Sequence, residues 1–77
     1  MAAVNLADLS KGKSAVIAAI DEQSLAERLQ EFGIFSGSLI RLLGTAPSGC
    51  PLMLEAEGTQ LGLRKEQAAL IKISPLD

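Results

Sequence analysis

Cys50 is the residue with the most reactive potential in this chain, which contains no histidine, tryptophan or tyrosine. A thiol becomes a nucleophile when a cationic neighbour or a helix amino end lowers its pKa. Cys50 lies in Ala46-Pro-Ser-Gly-Cys-Pro51, a turn-rich loop that supplies neither, so it reads as an inert loop thiol. Met53 and Glu55 follow closely, but Cys50, Met53 and Glu55 match neither the number nor the spacing of a closed metal site. The absence of histidine removes the commonest general base and metal ligand at neutral pH. Glu55 and Glu57 form a carboxylate pair on what reads as an outward strand face, the pattern of a solvated surface. Gly33 and Gly37 lack the lysine and spacing of a phosphate loop. No catalytic residue, metal ligand or cofactor is assigned, and the chain is expected not to be an enzyme.

The chemistry that remains is recognition. With 77 residues, the chain is expected to form a single domain over residues 1–77, and so small a domain has one thin core and little room for a catalytic cleft. The net charge of −2, with lysines and arginines scattered singly, argues against a nucleic-acid interface. The longest purely apolar stretch, Ala15 to Ile20, is far shorter than a membrane span, so no direct membrane insertion is expected. The amino end lacks the layout of a secretory signal, and one cysteine cannot pair within the chain; both point to the cytoplasm.

The elements that would position recognition residues follow from pattern. Ser14 to Ile20 reads as a first strand. Ser24 and Glu27 have capping-box spacing, so a helix is expected from Ser24 to Phe32, with Leu25, Leu29 and Phe32 on its buried face and Gly33 as its stop. Leu39 to Leu43 reads as a second strand, bounded by Gly44. Leu52 to Glu57 and Gln60 to Leu63 alternate as two further strands. A turn at Gly58-Thr59 would set Ala56 opposite Leu61, Leu54 opposite Leu63, Met53 opposite Arg64 and Glu55 opposite Gly62. Arg64 to Ala68 makes one helical turn, and Leu70 to Ile73 a last strand ended by Pro75. The fold class is mainly β with one or two short helices, a small, partly open five-stranded barrel of SH3-like topology.

Several pieces together resemble the FeoA family of cytosolic accessory proteins of bacterial ferrous iron transport. They are Leu9-Ser-Lys-Gly12, Arg28-Leu-Gln-Glu-Phe-Gly-Ile34 with Gly37, Ala46-Pro-Ser-Gly49 with Pro51, and Leu61-Gly-Leu-Arg64 with Ala68 and Ile71. Each is weak alone; their order and spacing are specific and cover nearly the whole chain. Ser36 stands where the family often has proline, and Cys50 where it often has aspartate. The resemblance implies an SH3-like barrel that binds a ferrous iron permease of the FeoB type, through its cytosolic GTPase-bearing part, and modulates transport. A similar barrel forms the carboxy-terminal domain of iron-dependent repressors, which gives a second reading as a metal-responsive sensor or iron carrier. The oligomeric state is left open. Interface energy concentrates in aromatic and arginine anchors, so Arg28, Phe35 and Arg64 are the expected partner contacts, with the Met53 strand face beside them.

Overall fold

The computed structural model describes residues 4–76. Six strands form one antiparallel sheet in the order β1-β6-β2-β3-β4-β5: β1 Val4–Asn5, β2 Ser14–Ile20, β3 Leu39–Thr45, β4 Leu52–Ala56, β5 Thr59–Leu63 and β6 Ile71–Pro75. The helices are α1 Gln23–Gln30 and α2 Lys65–Ala68, and a 3-10 turn covers Leu6–Asp8. The fold is thus mainly β, with one strand more than the five expected. The extra strand, β1, is two residues long and pairs Val4 with Ile73. So short an element carries no alternation to detect. It leads into Leu6, which is fully buried, while the Asn5 side chain accepts a hydrogen bond from the Ala7 amide at 3.0 Å.

Alternation along the strands builds the core. Ala15 and Ile17 of β2, Ile40 and Leu42 of β3, Leu52, Leu54 and Ala56 of β4, Leu63 of β5 and Ile71 and Ile73 of β6 all point inward. Leu25 and Leu29 of α1 and Ala68 of α2 close the barrel. Two bulges help the sheet curl: one residue, Ala18, is inserted where β2 meets β6, and another, Leu43, where β3 meets β4. The second bulge carries β3 through Gly44 to Thr45, beyond the end expected at Leu43. At the other side, β6 begins at Ile71, not Leu70, and includes Pro75.

Helix α1 starts before the expected Ser24, and its cap is Glu22. The Glu22 carboxylate accepts the Ser24 amide at 2.7 Å and the Leu25 amide at 3.2 Å, and Ser24 Oγ donates to the same carboxylate. Glu27, the expected partner of a capping box, instead accepts from Gln23 Nε2 at 3.3 Å. A charged acceptor at the helix amino end also meets the positive end of the helix dipole, an advantage a serine hydroxyl lacks. The Ser24 hydroxyl first, then the Ser24 and Leu25 amides and the nearby Arg28 charge, hold the Glu22 carboxyl below the ordinary 4.5. A lowered folded-state pKa contributes stability above the unfolded value, and that contribution disappears as pH falls through the folded value. Glu22→Gln should therefore be less stable than the parent at neutral pH, with the gap narrowing below about pH 4.5. Urea midpoints measured across that range check it; a constant gap would remove Glu22 as a charged cap.

The helix ends two residues short of the expected Phe32, and Phe32 is 53% exposed. The Ile34 amide donates to Leu29 O and the Gly33 amide to Gln30 O, with Gly33 at φ +78°: a Schellman turn. The turn breaks the helical phase at Phe32 and brings Ile34, fully buried, back into the core in its place.

The β4–β5 hairpin turns at Glu57-Gly58, both at positive φ (51° and 78°), and not at Gly58-Thr59. That pair of angles is a type I′ turn, whose twist matches the strands it joins. Ala56 consequently faces Thr59, Leu54 faces Leu61 and Leu52 faces Leu63, while Met53 faces Gly62 and Glu55 faces Gln60. The slip from the expected register is two residues, so every side chain keeps its face. Glu57 leaves the strand for the turn, which separates it from Glu55 and dissolves the carboxylate pair. Glu55 is set opposite Arg41 of β3 instead.

Candidate recognition site

Arg28 and Arg64, far apart in sequence, meet across one cleft. Its lining is Arg28, Pro51, Gly62, Arg64, Glu66 and Gln67, and its volume is about 580 Å³. Arg28 is carried on α1, whose neighbouring Leu29 is anchored in the core. Arg64 immediately precedes α2, and its own amide donates to Gln67 Oε1 at 3.0 Å, so the chain direction at Arg64 is held from below. Both arginine side chains are exposed, and neither forms an ion pair among the described residues. Lys72 and Asp21 form an ion pair, 3.4 Å apart.

Met53 stands beside this cleft, 38% exposed. A methyl group built on Gly62 would lie 3.5 Å from Met53 Sδ and 3.6 Å from the Pro51 ring, ordinary contact distances. Gly62→Ala should accordingly fold normally, with stability unchanged or raised by up to about 1 kcal/mol, because glycine weakens a strand interior. Chemical denaturation checks this; a loss above about 1 kcal/mol would mean that Gly62 needs backbone freedom no alanine has.

Phe35 is placed elsewhere, and sequence reasoning had grouped it with the arginines. It is 50% exposed, at the start of a turn in which Ser38 N donates to Phe35 O (2.9 Å) and Ser38 Oγ accepts from Phe35 N (3.0 Å). The Gly37 amide donates to Ile17 O at 2.7 Å and the Ile17 amide to Ser38 O at 2.9 Å, which ties this turn to β2. Gly37 sits at φ +97°, and Ser36 at the position before it is where a turn of this kind favours proline. Phe35 is thus displayed from a fixed turn and does not line the Arg28–Arg64 cleft. Sequence reasoning passed over Pro51, Glu66 and Gln67; only the folded register places them with the arginines. Cys50 is half-buried next to Pro51, and among the described residues no group of three cysteine, aspartate or glutamate side chains is placed to hold a metal ion.

The FeoA domain model matches residues 4–75. The chain belongs to the FeoA family. Solved structures agree with the assignment. Chlorobium tepidum FeoA superposes with a TM-score of 0.90 at 27% identity, covering 96% of this chain and 71% of that one. A FeoA-like protein from Clostridium acetobutylicum gives 0.87 at 27% identity, covering 100% and 91%. Stenotrophomonas maltophilia FeoA, an SH3 domain protein crystallised with zinc, gives 0.79 at 26% identity, covering 92% and 89%. A manganese-dependent transcriptional repressor shares the fold over 99% of this chain and 38% of its own, at 19% identity. No curated protein gives a significant match. The SH3-like FeoA fold is therefore the fold of this chain, and no helix among the described residues is long and apolar enough to cross a membrane.

Proposed function

We propose that this FeoA-family chain is a non-catalytic accessory protein of bacterial ferrous iron uptake. It works in the cytoplasm by docking on the cytosolic GTPase-bearing part of a FeoB-type permease and modulating transport. The observation that carries this reading is the family match over residues 4–75, within a system of ferrous iron transport. The convergence of Arg28 and Arg64 on one cleft with Met53 at its edge supports it, because a barrel of this size recognises partners with surface anchors. Phe35, exposed on its own turn outside that cleft, is the second contact point this reading expects.

Calorimetric titration of the full chain with the permease's purified cytosolic domain tests the proposal. Saturable binding, with or without guanine nucleotide, is the expected result; no heat and no retention in a pulldown under either condition would overturn it. Anaerobic titration with ferrous ion separates the sensor reading, since stoichiometric tight binding abolished by Cys50→Ser would favour a metal-responsive protein.

A further inference from the structure

We propose that the cleft between α1 and the end of β5 receives an acidic segment of a partner protein, one carboxylate of which is held by Arg28 and Arg64 together. This deepens the docking reading and rests on it for the partner's identity. Two exposed guanidinium groups line one cleft and neither forms an ion pair among the described residues, so the cleft stays net positive with Glu66 as the one acid of its lining. Guanidinium forks match the two oxygens of a carboxylate in a way that a lysine ammonium does not. The Pro51 ring and the side-chain-free Gly62 line the same cleft, and the missing side chain at Gly62 leaves room for an incoming side chain and its backbone.

Glu66 lines the same cleft and decides what kind of anion fits. A phosphate concentrates more negative charge than a carboxylate and offers no donor when fully ionised, so Glu66 opposes it. A peptide segment carries backbone N–H donors beside its carboxylates, and Glu66 can accept from one of them while the arginines take the acid. The lining contains no aromatic side chain, whereas grooves that read proline-rich helices are built from aromatics. Phe32 and Phe35, the two aromatics of the chain, lie outside it.

The test titrates the nitrogen-15-labelled full chain with a capped peptide of alternating glutamate and serine. The same peptide with glutamine for glutamate, a capped proline-rich peptide and inorganic phosphate are the comparisons. The glutamate peptide should shift the Gly62, Arg64 and Gln67 amides and the Arg28 and Arg64 Nε–H signals saturably. The glutamine peptide should bind at least about fivefold more weakly, and Arg28→Lys and Arg64→Lys should each lose about fivefold or more for the glutamate peptide. Both arginines are exposed, so unchanged spectra elsewhere confirm that the variants fold. Equal shifts by phosphate, preference for the proline-rich peptide, or undiminished binding in both lysine variants would overturn the inference.

The permease's cytosolic domain then separates this inference from the reading beneath it. If that domain binds but ignores both lysine variants and the competing glutamate peptide, the cleft inference fails and docking stands. If the glutamate peptide binds in the cleft and the domain does not bind at all, the permease reading fails and the cleft inference stands.

Discussion

Leu54→Ala should lower the stability of this chain by about 2–5 kcal/mol and its thermal midpoint by roughly 10–30 °C. Leu54 is fully buried in β4, with Leu42 of β3 on one side and Leu61 of β5 on the other. Strand pairing holds both neighbours in place, so the surroundings cannot collapse into the space left by the removed methyl groups. The penalty then includes the cavity as well as the lost transfer of the side chain out of water. A domain of this length has roughly 4–12 kcal/mol in total, so a large part of the folded population is at risk. With no tryptophan or tyrosine to report by fluorescence, the far-ultraviolet circular dichroism melt is the suitable measurement. Met53→Ala, on the outer face of the same strand, is the control and should change stability by about 0.5 kcal/mol or less. Equal effects at the two positions would mean that β4 does not divide into a buried and an exposed face.

Gly58→Val is expected to cost about 2 kcal/mol or more, with a midpoint drop of roughly 10 °C. Gly58 stands at φ +78°, where a Cβ approaches the following carbonyl, and branching at Cβ stiffens the residue further. The neighbouring space is open, so the cost is in the backbone and no repacking relieves it. Glu57, at φ 51°, already occupies the same region as a non-glycine residue. Glu57→Asn should therefore stabilise the hairpin, since Asn-Gly is the preferred pair for this turn. The consequence reaches the cleft, because the turn sets the register that places Gly62 and Arg64 at the end of β5. Amide shifts of Gly62 and Arg64 that stay unchanged in Gly58→Val, with full stability, would show that another element sets that register.

Much of this architecture was legible in the residue pattern, because alternation in Leu52 to Ala56 and a helical stripe at Leu25 and Leu29 each have one way to bury apolar area. The same logic misplaced Phe32. Extending the stripe by three residues assumes that the helix continues, and hydrogen bonding from Gly33 and Ile34 ends it first. The hairpin register was missed for a related reason. Placing Gly58 first in the turn satisfies the alternation as well as placing it second does; only the positive φ of Glu57 distinguishes them. Glu22 escaped notice as a cap because serine at position 24 fits the familiar spacing to Glu27, whereas the helix is capped two residues earlier and the Glu22 carboxylate takes the Ser24 and Leu25 amides. As for the site, Arg28 and Arg64 were legible as surplus to the core. Their meeting across Pro51 and Gly62 was not, since it depends on how α1 and the β4–β5 hairpin lie in space.

Strand β6 lies between β1 and β2 in the sheet, although it follows the other five described strands in the chain. During synthesis, β2 through β5 emerge in an order that lets each pair with its predecessor or follower, yet β2 has an open side and the interior lacks Ile71 and Ile73. At translation rates of about 5–20 residues per second, the nascent chain spends seconds in this unfinished state, with apolar strand faces bared to solvent. The barrel is sealed only when residues 71–75 arrive, so folding of this domain waits for nearly its whole length. A ribosome-stalled chain ending before Ile71 should be open to protease, and one carrying the sixth strand clear of the ribosome should resist it.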